Sequence, residues 1–171
     1  SIRKWIYGKT SFEDTSRTQI PIFVKELADS LCLSEEFVWN ELKISNTELG
    51  YNFTTNLRWK DFVRHCVQYG RTKDRVDYDD KNDCLYWNGD DKGLKMYNKS
   101  EEMPANINNR TRKSEAEKIV SSLAKIGQTL CRIEVTLDDK NSFKKYGLSE
   151  IRTLRDIYEN WDKLHALLVK E

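Results

Sequence analysis

Proline and glycine are scarce, with 2 and 7 residues respectively in a chain of 171. Low-complexity, collagen-like and linker-rich organisations are thereby excluded. No apolar run approaches the roughly 20 residues that cross a bilayer as a helix, so no membrane role is expected. No signal peptide opens the chain, which begins at Ser1 rather than Met; a trimmed N-terminus is expected. An excess of one charge is missing too: 29 Lys and Arg stand against 28 Asp and Glu, a formal net charge of +1. That argues against a large non-specific grip on nucleic acid and leaves room for a local basic face. Histidine is limited to His65 and His165, so no His-hydrophobe-His ligand pair exists. The cysteines at 32, 66, 84 and 131 show no CxxC spacing, which removes zinc-finger and thioredoxin-like readings. Each has apolar neighbours, and they are expected to be buried, reduced thiols in a cytoplasmic protein.

What is present fits a globular chain: 38% of residues are hydrophobic and 33% charged. One domain spanning residues 1–171 is expected. Residues 2–7 read as extended and 9–17 as a polar loop. Pro21 suits the first turn of a helix over 19–31, whose apolar residues recur at spacings of three and four. Ser34 caps a short second helix with Phe37 and Val38 inward. Residues 42–53 read as a strand. Asn56 is expected to cap a helix that carries Trp59, Phe62, Val63, Cys66 and Val67 inward and ends near Gly70. Two strands, 75–80 and 83–88, lead through turns to a third at 93–99. Pro104 breaks the pattern, and 104–113 reads as a polar loop before a helix over 114–126 with Ile119, Val120, Leu123 and Ile126 inward. The clearest strand is 130–137. Phe143, Tyr146 and Leu148 are expected to cover a loop, and Ser149 to cap one final helix. The order helix–strand, helix–meander, helix–strand predicts an α+β fold: an antiparallel sheet with helices packed on one face.

Alternation then sorts the strand side chains. Over 93–99, Lys95, Tyr97 and Lys99 share a face and Leu94 and Met96 take the other. A tyrosine flanked by two cations suits attack on phosphorus, with the ammonium groups on phosphate oxygens. The plainer alternative is an edge strand with solvated lysines. In the other strands Glu48 and Asn52 share a face, as do Arg132, Glu134 and Thr136. Gly50, between Glu48 and Asn52, leaves space for a ligand or a second backbone. Two carboxylates and an amide oxygen are hard ligands suited to Mg²⁺ or Mn²⁺. A cross-strand ion pair of Glu134 with Arg132 or Lys95 is the competing account. Basic residues gather at Arg58, Lys60 and Arg64 and at Arg110, Arg112 and Lys113. These are candidate DNA-backbone contacts, set against the alternative of two ordinary solvated faces.

Several stretches, in order, carry a resemblance. They are Lys4-Trp5-Ile6-Tyr7-Gly8; Ile44 through Phe53, similar to a V-T-R-I-D-x-x-x-N/D strand; Tyr97-Asn98-Lys99 with Glu102, similar to Y-x-K-x-x-E; Arg132-Ile133-Glu134-Val135, similar to an R-[FI]-E strand; and Phe143-Lys144-Lys145-Tyr146-Gly147-Leu148. Together they resemble the rolling-circle replication initiators of filamentous phages and related plasmids. In the first acidic strand the family's arginine is replaced by Asn46 or Thr47. The resemblance implies the rolling-circle replication nuclease fold, with the family's opening strand and C-terminal region outside residues 1–171. It implies metal-dependent nicking of one origin DNA strand and a 5′-phosphotyrosine link. By position, Tyr97 would be the nucleophile and Lys99 a phosphate-holding group. Glu48, Asn52 and Glu134 would bind Mg²⁺ or Mn²⁺, with Glu102, Lys95 and Arg132 as neighbours. The partners implied are single-stranded or origin DNA and a host replication helicase. The alternative is a non-catalytic DNA-binding or adaptor domain on the same fold.

Overall fold

A computed structural model describes residues 14–44, 47–67, 75–78, 84–88, 93–107, 110–137 and 140–169. Five strands make one antiparallel sheet: β1 (Thr47–Thr55), β2 (Arg75–Tyr78), β3 (Cys84–Asn88), β4 (Gly93–Asn98) and β5 (Thr129–Leu137), in the spatial order β1-β5-β4-β3-β2. Eight helices accompany them among the described residues: α1 (Ile20–Leu31), α2 (Glu35–Asn40), α3 (Trp59–His65), α4 (Lys99–Ala105), α5 (Arg110–Lys125), α6 (Lys140–Lys145), α7 (Leu154–Glu159) and α8 (Trp161–Val169). The α+β class and the antiparallel sheet agree with the sequence reading. The extended stretch expected at 2–7 lies outside the described residues.

The register decides which side chains meet. In β1 and β5, Gly50 faces Glu134 and Asn52 faces Arg132. In β4 and β5, Lys95 faces Glu134 and Tyr97 faces Arg132. In β3 and β4, Tyr86 faces Lys95 and Cys84 faces Tyr97. Residues paired across strands project to the same side. One side of the sheet is therefore polar across four strands. The other side carries Leu85, Trp87, Leu94, Cys131, Val135 and Leu137 into the main core. Ile20, Val24 and Ala28 of α1, Val38 of α2, Trp59 and Val63 of α3 and Ile157 and Leu164 of the last two helices cover it. Phe143 and Leu148 are buried in the same core, so they do more than cover a loop.

The hairpin of α4 and α5 stands apart. Met103, Ile107 and Ala116, with Val120 against them, form a second small cluster. The Ser100 hydroxyl ties the start of α4 to β5, accepting from the Leu130 amide at 2.9 Å. Pro104 does not end the chain's regularity as expected. It lies inside α4, and α5 begins at Arg110, so most of the expected polar loop is helical. In so short a helix the missing proline N–H removes only one possible bond.

Other boundaries differ for local reasons. Strand β1 starts at Thr47, not at 42. Helix α3 is preceded by Arg58 in extended conformation, so Asn56 is not its cap, and it ends at His65 instead of near Gly70. Ser34 does cap α2, accepting from the Phe37 amide at 3.1 Å. Phe37 itself is exposed, as are Val67, Ile119 and Ile126, all expected inward. Ser149 caps nothing: the expected final helix is two helices broken at Asn160, and Thr153 caps the first with Asp156 in a reciprocal capping box. Of the four cysteines only Cys131 is buried; Cys32 is exposed and closes α1 with a left-handed φ of 54°. Burial pushes the Cys131 thiol up to about 12. Replacing Thr153 by Ala removes the hydroxyl end of the capping box. It is expected to lower unfolding free energy by about 1 kcal/mol in urea denaturation; no change would show that α7 is held by packing alone.

Candidate active site

The polar side of the sheet is organised by Arg132. Its guanidinium Nε donates to Glu134 Oε1 at 2.7 Å, and Nη1 donates to Asp14 Oδ1 at 2.8 Å and to Asn52 Oδ1 at 3.0 Å. The second Asp14 oxygen accepts from the Asn52 backbone amide at 2.9 Å, which ties the chain before α1 to β1. Only 6% of Arg132 is exposed. Gly50 makes this position possible: a Cβ there would stand 2.0 Å from Nη2 and 2.5 Å from Cζ. The space that the sequence reading left for a ligand or a second backbone beside Gly50 is filled by the guanidinium.

Tyr97 joins this network through Glu134, its hydroxyl donating to Oε1 at 3.2 Å. The Lys95 ammonium lies 4.8 Å from the Tyr97 ring centre and 5.7 Å from that of Tyr86, between two tyrosines of adjacent strands. Lys99 is placed differently from expectation. It is not on the strand but in the first turn of α4, where its ammonium folds back to 5.6 Å from the Tyr97 ring and pairs with Glu102. Lys99 is 1% exposed and Tyr97 7% exposed. The Y-x-K-x-x-E spacing is thus a strand-to-helix joint, with Glu102 one helical turn beyond Lys99 and also accepting from Asn106 at 2.9 Å.

The charges balance locally. Burial alone would raise the Glu134 carboxyl, but the Arg132 guanidinium, with Lys95 and the Tyr97 hydroxyl, holds it below the usual carboxylate range. Burial would lower Lys95, yet Tyr86 and Glu134 hold it above its ordinary value. Burial also raises the Tyr86 hydroxyl, partly offset by Lys95.

The expected ligands are only partly brought together. Asn52 and Glu134 meet, but on Arg132. Glu48 shares the face opposite Thr136, is exposed, and stands outside the Arg132 network. Among the described residues no three His, Cys, Asp or Glu side chains are grouped to hold a metal ion. In this arrangement Glu48, Asn52 and Glu134 do not fit one divalent cation, because Glu48 stands apart and the Asn52 and Glu134 oxygens are taken up by the Arg132 guanidinium. Asp14, which sequence reading leaves in a polar loop, is the missed member. It reaches Arg132 from 118 positions away, and no local signal marks it.

The expected DNA contacts lie elsewhere. Arg58 and Arg64 are largely exposed on α3 and share Asp61, at 3.1 and 3.8 Å. Lys60 is exposed on the same helix, and Arg110, Arg112 and Lys113 are exposed in the first turns of α5.

A family model described as the N-terminal region of a phage replication-associated protein matches residues 3–161. The chain belongs to this family of phage replication initiators. No curated protein and no solved structure matches it. Membership makes this a phage DNA replication protein, and DNA an implied partner. No helix among the described residues is long and apolar enough to cross a membrane.

Two outcomes test the geometry of this initiator's polar face. Gly50→Ala is expected to cost about 1–3 kcal/mol of stability, because the new methyl group pushes the guanidinium off its oxygens. In an Arg132→Met background that cost is expected to vanish, a coupling that a double-mutant cycle by urea denaturation measures; an equal cost in both backgrounds would contradict the contact. The second concerns acid. Because the folded protein holds Glu134 below the ordinary carboxylate range, its contribution is present above that range and is lost as pH falls through the depressed value. Glu134→Gln is therefore expected to flatten the fall in stability between pH 7 and pH of about 3, and an unchanged profile would count against a paired carboxylate.

Proposed function

We propose that this chain nicks one strand of origin DNA and becomes joined to it through Tyr97. The observation that carries the reading is the bond from the Tyr97 hydroxyl to Glu134, with two ammonium groups beside the same ring. In the reaction the tyrosine oxygen attacks the scissile phosphorus and the P–O3′ bond breaks. The phenolic proton passes to Glu134, the group already placed to accept it. The departing 3′ oxygen takes up a proton from solvent, and the phosphorus remains bound to tyrosine as a 5′-phosphotyrosine. Lys95 favours developing negative charge on the phenol and on the phosphate oxygens. Lys99 holds the ring's other surroundings positive and, through Glu102, anchors the joint that presents Tyr97. Arg58, Lys60 and Arg64, and Arg110, Arg112 and Lys113, are exposed cations suited to the DNA backbone. The divalent cation that the family resemblance implies takes no part in these steps as drawn. A replicative helicase as a later partner is part of the same reading.

A second reading draws support from burial. Tyr97 and Lys99 are largely shielded from solvent, and Lys99 is committed to Glu102. Both would then serve the fold, and the chain would bind origin DNA without cutting it.

Incubation with labelled single-stranded origin DNA of the parent phage and Mn²⁺, resolved on a denaturing gel, separates the two. The nickase reading expects a covalent adduct with the wild type and none with Tyr97→Phe, whose DNA binding stays within about twofold because the ring remains. An adduct that persists in Tyr97→Phe moves the nucleophile to Tyr86, which shares the polar face. Tyr51 belongs to the opposite face of β1. Binding without any adduct in the wild type supports the non-catalytic reading.

A further inference from the structure

Arg132 takes up two of the three expected metal ligands, Asn52 and Glu134, together with Asp14. Three of its N–H groups engage one oxygen each of Asp14, Asn52 and Glu134, and the guanidinium lies against Gly50. Carboxylate and amide oxygens of this kind are the hard ligands that divalent cations choose. Their charges are already matched: Asp14 and Glu134 are answered by Arg132 and Lys95. A divalent ion entering beside an undisplaced guanidinium would meet two positive neighbours, and would find Asn52 Oδ1 and Glu134 Oε1 directed elsewhere.

We propose that the oxygen cluster formed by Asp14, Asn52 and Glu134 holds Arg132 in place of a divalent cation, so that Mg²⁺ or Mn²⁺ does not bind there in the folded protein. Arg132 is then a built-in counter-cation that keeps the cluster assembled and closed to metal. The inference rests on reading the polar face as the phosphate-transfer site, and it names what controls metal access to that site. It also explains why Gly50 lies opposite Glu134 in β1. The strand needs an absent side chain there to let the guanidinium approach the ladder.

The test needs no DNA. Mn²⁺ is titrated into the folded protein and bound metal is read by electron paramagnetic resonance of free Mn²⁺, for wild type, Glu134→Gln, Arg132→Met and Arg132→Met/Glu134→Gln. The wild type is expected to show no Mn²⁺ component that Glu134→Gln removes. Arg132→Met is expected to bind Mn²⁺ at least about tenfold more tightly, since one like charge has gone from the cluster, and the added Glu134→Gln is expected to abolish that gain. Wild-type binding that depends on Glu134 and equals that of Arg132→Met would overturn the proposal. Where Arg132→Met does not fold alone, folding restored by Mn²⁺ but not by NaCl of equal ionic strength supports it. Where it folds under neither condition, the wild-type and Glu134→Gln pair decides: a Glu134-dependent Mn²⁺ site with Arg132 in place sinks the idea. Nicking is measured separately, so absence of a DNA adduct leaves this result standing, and a failed metal titration leaves the Tyr97 reading standing.

Discussion

A guanidinium ion keeps its charge when withdrawn from water, so its burial is costly unless acceptors replace its hydration. Arg132 has three, drawn from β5 itself, from β1 and from the segment before α1. The rest of the polar face depends on this arrangement. Glu134 is held below its ordinary range chiefly by Arg132, and as a carboxylate it accepts from Tyr97 and favours the charged form of Lys95. Removing the guanidinium would leave Asp14 and Glu134 without their shared partner and only Lys95 beside Glu134, and breaking a buried ion pair in this way typically costs about 3–5 kcal/mol. One side chain therefore serves both the assembly of the site and its electrostatics.

The sheet makes such a cluster physically feasible. Its other surface is closed by an apolar core that draws on six helices, so the strands are fixed before any polar contact is counted. Rigid strands hold their side chains at set spacings, and a network on adjacent strands loses little entropy on forming. The α4–α5 hairpin adds a local shield. By beginning immediately after Asn98, it turns Lys99 back over Tyr97 and withdraws both from solvent. Within this lower-dielectric setting, each charge acts more strongly on its neighbours than it would on an open surface.

Strand parity is the legible part of this molecule. Alternation alone assigns Glu48, Gly50 and Asn52, then Lys95 and Tyr97, then Arg132 and Glu134 to common faces, and the register unites them. The competing account of Glu134, an ion pair with Arg132, is equally readable and describes the bond that forms. Asp14 is not readable, since its partner lies far along the chain and nothing in its own surroundings marks it. Lys99 is misplaced by alternation because the strand pattern runs smoothly past Asn98, while the backbone turns helical there. Pro104 misleads in the same region, since a proline is tolerated in a helix too short to depend on one bond. Spacing places Phe37, Val67 and Ile126 inward, but Phe37 sits in a six-residue helix that buries Val38 instead, and Val67 and Ile126 lie past the ends of α3 and α5.

The position of Tyr97 carries a tension between chemistry and folding. A phenol becomes a nucleophile more readily when cations surround it and an acceptor takes its proton. Here both conditions hold, through Lys95, Lys99 and Glu134. The same neighbours shield the hydroxyl, and in the proposed nicking reaction a DNA strand would have to reach it past them. The acceptor is also a weak base, because Arg132 keeps Glu134 ionised. Full proton transfer from phenol to carboxylate is therefore uphill before the phosphate arrives. In the proposed nicking reaction, transfer would become favourable only as the oxygen–phosphorus bond forms and the phenol loses its basicity. That coupling would tie deprotonation to a correctly seated phosphate and leave the tyrosine protonated in its absence.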